Sequence, residues 1–116
     1  MRAPSPLARG DVVLLPFPLT DPSGQKVRPA LIVARVSGVD VIVAFITSRL
    51  HMGNAPATYI FPRNPEFEGT GLRVASAVRL DKLATIPRQL IVRRLGRIGS
   101  QTTSAVAETL RYVFSI

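Results

Sequence analysis

The chain has 116 residues, enough for one domain with one hydrophobic core, and its 47% hydrophobic and 19% charged content is that of a globular protein. It has no cysteine, which excludes disulfides, thiolate metal sites and a cysteine nucleophile. Fifteen Lys and Arg against seven Asp and Glu give a net charge of +8, and all the basic residues but Lys26 and Lys82 are Arg. Arginine forks onto phosphate and stacks on bases, so this balance suits nucleic acid or an acidic protein partner better than a membrane surface.

Residues 1–8 read as a loose arm, with no apolar stretch long enough for a signal peptide. The longest apolar run, Val41 to Ile46, is too short to span a bilayer. The expectation is a soluble, cytoplasmic protein with no membrane partner, folded as a single domain over residues 9–116.

Arg9-Gly10-Asp11 leads into Val12–Leu15, a buried-type strand ended by Pro16 and Pro18. Thr20 to Lys26 is dense in turn formers and reads as an exposed loop. A second strand covers about Val27–Val36, with Pro29 placed near its start because proline cannot donate to a ladder. Pro29 also biases Arg28 toward an extended backbone. A compact turn at Ser37–Asp40 predicts a hairpin to a third strand, Val41–Thr47. With Gly38 and Val39 at the turn, Arg28 pairs with about residue 49, and one bulge brings Thr47 into line. Further short strands are expected at Thr58–Phe61, Arg73–Arg79, Ala84–Ile86 and Leu90–Arg94. From Ser100 the apolar period changes to that of a helix of about four turns, capped by Ser100 or Thr102. The fold class is mainly β with one α element: a small antiparallel barrel or half-barrel with a C-terminal helix.

Chemistry is narrowed by what is missing. The carboxylates are scattered, and only Glu66 and Glu68 lie close in sequence, so no metal centre is expected and no cofactor is implied. His51 stands in a loop with no second histidine, which excludes a His-pair ribonuclease. No phosphate-cradling glycine loop is present. Arg28 with Thr47 and Ser48 remains. A guanidinium can hold two non-bridging phosphate oxygens at once, and RNA brings its own nucleophile in the 2′-OH.

Arg9-Gly10-Asp11-Val12-Val13, Pro16-Phe17, Ser23-Gly24 with Arg28-Pro29-Ala30-Leu31, and Ile46-Thr47-Ser48 together resemble the MazF/PemK family of toxin endoribonucleases. The likeness continues through Gly71-Leu72, Ser76, Val78, Asp81-Lys82-Leu83, Thr85 and Leu95-Gly96 with Ile98, in order, over about residues 9–114. The resemblance implies an SH3-like barrel of the CcdB/MazF kind and the toxin role in a type II toxin–antitoxin system. It implies metal-independent, sequence-specific cleavage of single-stranded RNA, giving a 2′,3′-cyclic phosphate and a 5′-hydroxyl. Arg28 and Thr47 take the catalytic places; Ser48, Lys26, Arg49 and Phe17 are expected to bind phosphate or RNA. A homodimer and an antitoxin with an acidic disordered tail are the expected partners. The loop from Pro18 to Val27 departs from better-known relatives, with Thr20-Asp21 and Lys26 where they carry a Glu-Gln-Gly-Gly-like segment, so the cleavage sequence does not transfer. The alternative is a basic toxin of the same fold that acts on DNA gyrase or holds nucleic acid without cutting it.

Overall fold

The structure is a computed structural model that describes residues 6–17, 26–51 and 53–116. Six strands form one antiparallel sheet: β1 (Asp11–Phe17), β2 (Lys26–Arg35), β3 (Asp40–Thr47), β4 (Ala57–Ile60), β5 (Ser76–Pro87) and β6 (Arg93–Arg97), followed by the helix α1 (Ser100–Phe114). Their order is β4-β5-β3-β2-β1-β6, and the sheet curls into a half-barrel. No described helix is long and apolar enough to cross a membrane.

Both faces of the sheet are buried, which explains why β1 and β2 read as continuous apolar runs rather than alternating ones. On one face Val12, Leu31, Ala44, Ile46, Ile60, Val78 and Leu80 pack against Ile98 and Val106 of the α1 region. On the other, Val13, Leu15, Ala30, Ile32, Val41, Val43 and Ile86 pack with Leu7, Leu90 and Ile91. Leu7 lies within the stretch expected as a loose arm, and residues 1–5 of that stretch fall outside the described residues.

The central hairpin differs from expectation at its turn. Arg35 faces Val41, one residue tighter than the simplest register, and Ser37 Oγ accepts the N–H groups of Val39 and Asp40 to close the loop. A bulge between Ile32 and Ala34 then shifts the pairing so that Ala30 faces Phe45. The pairing ends there, and the same offset carried two residues further along both strands would set Arg28 opposite Thr47.

Three strand boundaries are corrected. β1 runs through Pro16 to Phe17, because β6 reaches only to Leu14 and so leaves no partner for the N–H that proline lacks. The segments expected at Arg73–Arg79 and Ala84–Ile86 are one strand, Ser76–Pro87, whose polar Asp81-Lys82 is a bulge and not a break. At that bulge Phe45 faces Arg79 while the adjacent Ala44 faces Leu83. Arg79 donates to both Asp81 carboxylate oxygens, at 2.9 and 2.6 Å, which braces the bend. The last strand lies at Arg93–Arg97 rather than Leu90–Arg94, since Arg88–Leu90 forms a 3-10 turn after Pro87.

The helix cap is also not the expected one. Neither Ser100 nor Thr102 caps its own helix; Glu66, from the loop after β4, accepts the N–H groups of Gln101 (2.8 Å) and Thr102 (2.9 Å) and the Thr102 hydroxyl (2.7 Å). Those hydrogen bonds, that of the Thr102 hydroxyl first, hold the Glu66 carboxyl below its ordinary pKa. A Cβ at Gly99 would meet the Glu66 carboxylate, so a larger residue there would displace this cap.

Asp11 anchors the other end of the sheet. It is fully buried, and its carboxylate meets Arg97 Nη1 at 2.8 Å, Arg94 Nε at 3.2 Å and the Ala8 N–H at 2.9 Å. The Arg9-Gly10-Asp11 block thus ties β1 to β6. Gly96 in β6 makes a second tie: the loop at Gly69-Thr70 passes so close that any Cβ would strike the Gly69 carbonyl oxygen.

Candidate functional site

A cleft of about 540 Å³ opens where the N-terminal end of β2 meets the C-terminal end of β3. Lys26, Val27, Arg28 and Pro29 form one wall, with Ile46, Thr47 and Ser48 beside them. Gly71–Val74 and Ser76 come from the segment entering β5, Arg93 and Leu95 from β6, and Leu14 from β1. The lining mixes apolar and polar residues, and its charged members, Lys26, Arg28, Arg73 and Arg93, are all cations. Clefts lined by one sign of charge focus the field on a counter-charged ligand.

Side-chain alternation sorts these residues. Val27 and Pro29 share their face of β2 with Leu31, a residue of the helix-covered core, and Ile46 belongs to the same cluster. Arg28 shares its face with Ala30, and Phe17 shares its face of β1 with Leu15, both in the opposite cluster. The guanidinium accordingly lies over the Phe17 ring, its Cζ 4.6 Å from the ring centroid. Arg28 therefore stands at the rim of the cleft, exposed, with an aromatic ring beneath it and no ion pair to a described carboxylate. Its hydrogen-bonding fork is available to a ligand.

Thr47 is set differently. As the last residue of β3 it is half-buried, and its Oγ1 accepts the Arg49 N–H at 3.0 Å. That short turn fixes the hydroxyl and leaves its proton to donate. Ser48 and Arg49 are exposed on the same turn, Ser48 in the cleft lining and Arg49 outside it. Of the expected site residues, Arg28, Thr47, Ser48 and Lys26 line one cleft, and Phe17 joins them through its contact with Arg28. His51 is exposed and lies outside the lining. The loop at residues 18–25, expected to shape access to Arg28, falls outside the described residues.

Two cations of the cleft, Arg73 and Arg93, were not expected from the sequence. Arg73 sat in what read as a strand, and Arg93 near the end of one. Their only sequence signal is the general excess of Arg. No group of three or more His, Asp and Glu that could hold a metal ion exists among the described residues, and Glu66 is committed to the helix cap.

Comparison with known proteins places the fold and the family. The fold superposes on the Mycobacterium tuberculosis toxin MazF-mt6 with a TM-score of 0.70 at 24% identity, covering 91% of this chain and 97% of that one. A mycobacterial endoribonuclease crystallised in complex with its cognate antitoxin gives 0.72 at 17% identity, over 96% and 97% of the two chains. A MazE–MazF structure from Deinococcus radiodurans gives 0.69 at 17%, over 95% and 96%. At such identities the likeness is one of fold. No curated protein sequence matches the chain. A family model does: that of the PemK-like, MazF-like toxins of type II toxin–antitoxin systems, over residues 8–114. The chain belongs to that toxin family.

Proposed function

We propose that this toxin is an endoribonuclease that cleaves single-stranded RNA at the rim formed by Arg28 and Thr47, using the RNA's own 2′-hydroxyl. The observation that carries the reading is an exposed arginine without a carboxylate partner among the described residues, register-matched to a threonine hydroxyl, at the edge of a cleft whose charged lining is all cationic. Structural relatives described as endoribonucleases support it.

In the reaction the 2′-oxygen attacks the adjacent phosphorus, the O2′–P bond forms, and the P–O5′ bond breaks. The products are a 2′,3′-cyclic phosphate and a 5′-hydroxyl. The dianionic phosphorane is the species to stabilise. Arg28 donates two N–H groups to its non-bridging oxygens, and the Thr47 hydroxyl donates a third hydrogen bond that fixes the phosphate. The rim is open to solvent, so water can take the proton from O2′ and deliver one to O5′. Lys26, Ser48 and Arg49 flank the scissile phosphate, and Arg73 and Arg93 hold neighbouring phosphates farther along the cleft. The chain acts as a homodimer held in check by an antitoxin with an acidic tail, which the same cationic surface would attract. Relatives crystallised with cognate antitoxins support that partner.

The test is incubation with single-stranded RNA in EDTA, followed by analysis of the product ends. Cyclic-phosphate and 5′-hydroxyl ends are the expected result. Strict dependence on magnesium, or 5′-phosphate ends, would refute the mechanism, and binding without cleavage would favour a non-cutting toxin.

A further inference from the structure

The row of residues containing Thr47 continues across the sheet. Thr47 pairs with Ala77 of β5, and Ala77 pairs on its other side with Tyr59 of β4. Directly paired residues point to the same face. Tyr59 therefore stands on the same face as Thr47 and Arg28, two strand spacings from Thr47, or about 10 Å, and three from Arg28, or about 14 Å. Ala77, between them, carries only a methyl group, so its own side chain does not stand between the two ends of the row.

Tyr59 is not isolated. Its ring runs parallel to that of Phe61, with an interplanar angle of 7° and centroids 6.1 Å apart, and Arg63 lies over Phe61 with Cζ 5.1 Å from the ring centroid. Tyr59 is 37% exposed, although it sits in a strand whose neighbours Thr58 and Ile60 are buried. Helix α1 covers the opposite face, where Thr58 and Thr109 hydroxyls meet at 3.3 Å. The Asp81 carboxylate on this part of the sheet is neutralised by Arg79, so the patch carries no unpaired negative charge among described residues.

We propose that Tyr59 and Phe61, closed by Arg63, form a stacking subsite for unpaired bases flanking the phosphate held by Arg28 and Thr47; this rests on the ribonuclease reading above. Two parallel rings, one of them carrying a guanidinium, offer π and cationic surface together, and every base has a π-face that suits it. The separation of about 10 Å from Thr47 and about 14 Å from Arg28 corresponds to about three to four nucleotides at the 3.4 Å rise of a stacked strand, and to fewer in an extended one. An apolar peptide anchor would instead want a pocket enclosing it, which an open platform on the edge strand does not offer. The subsite makes the preferred substrate longer than the dinucleotide being cut and places bases on one side of the cleavage point under sequence-tolerant control.

The protein has two tyrosines and no tryptophan, so stacking can be read directly. In the Tyr112→Phe protein, Tyr59 is the sole tyrosine emitter, and Tyr112 lies at the far end of α1 with 77% exposure. Titration with a single-stranded 2′-O-methyl RNA, which lacks the nucleophile, should quench that emission. Replacing Tyr59 and Phe61 by Leu should weaken binding of the same RNA by about 5- to 150-fold for each stack lost, and an abasic nucleotide at the flanking position should erase the difference between variant and wild type. Unquenched emission on saturation overturns the proposal and needs no substituted strand. So does an unchanged affinity in a folded double variant, or a loss confined to an acidic leucine-containing peptide. If the wild type cuts RNA but shows none of these effects, the subsite fails and the ribonuclease stands. If quenching and its loss occur without cleavage, the subsite stands and the ribonuclease fails.

Discussion

Replacing Arg28 by Ala separates a functional arginine from one that merely ends a strand. The side chain is exposed and makes no ion pair with a described carboxylate; its described contact is the Phe17 ring at 4.6 Å. A cation–π contact at an exposed site is worth about 0.5–1 kcal/mol. For a domain of this size that corresponds to a fall in Tm of at most about 8 °C. The cost to catalysis should be much larger. Loss of a preorganised donor to a developing oxyanion typically removes about 10²–10³ in rate, or about 2.7–4 kcal/mol. Turnover of a defined single-stranded RNA oligonucleotide, measured in single-turnover conditions, should therefore fall by at least about 10² while the melting curve shifts little. Arg28→Lys should recover only part of the loss, because an ammonium keeps the charge but not the two-pronged fork. A cleavage rate within a few-fold of wild type, or a variant that unfolds, would refute the reasoning: the first removes Arg28 from the chemistry, and the second makes it a structural cap.

Thr47→Ala should lower turnover in a folded protein, and Thr47→Ser should restore most of it, since the hydroxyl that receives the Arg49 N–H is then kept; equal rates for the three proteins would exclude Thr47 from the site. Asp11→Asn leaves Arg94 and Arg97 facing a neutral group. It should cost about 2–3 kcal/mol in urea unfolding, below the 3–5 typical of a broken buried pair because the Arg97 side chain is 56% exposed. A midpoint unchanged from wild type would show that the buried carboxylate does not tie β1 to β6. Glu66 has its pKa lowered in the folded state, so its contribution to stability is complete above the unfolded carboxyl pKa of about 4.3 and is lost as the pH falls through the depressed folded value. Glu66→Gln should be less stable than wild type at neutral pH, and the gap should narrow on acidification. A gap that is constant from neutral to acid pH would show that the charge of this cap is not what holds the helix.

The elements of this chain were legible where the physics is local. Apolar runs bounded by proline and glycine marked β1, β2, β3 and β4 to within a few residues, and the change of period at Ser100 marked the helix. Arg28 stood out because Pro29 fixes its neighbour's backbone at a strand entrance. The misreadings share one cause, which is that they turn on partners distant in sequence. Asp81-Lys82 looked like a break because a bulge is visible only against the strand it faces. Glu66 did not stand out as a helix cap because the helix it caps begins more than thirty residues later. Pro16 looked like a terminus because the short reach of β6, which leaves its side of β1 open, is not written near it.

For the site, the sequence by itself determined the chemical inventory: many guanidiniums, no cysteine, one histidine and no grouped carboxylates. Only the tertiary structure decided which of those guanidiniums line one cleft. Hairpin register, tightened at the turn and shifted again at the bulge, brings Arg28 into line with Thr47, and the curl of the sheet draws in Arg73 and Arg93 from segments far along the chain. Pairing across β5 then extends the row to Tyr59. Composition fixes charge and available donors residue by residue, whereas a site is a set of distances, and those are set by how strands separated in sequence align.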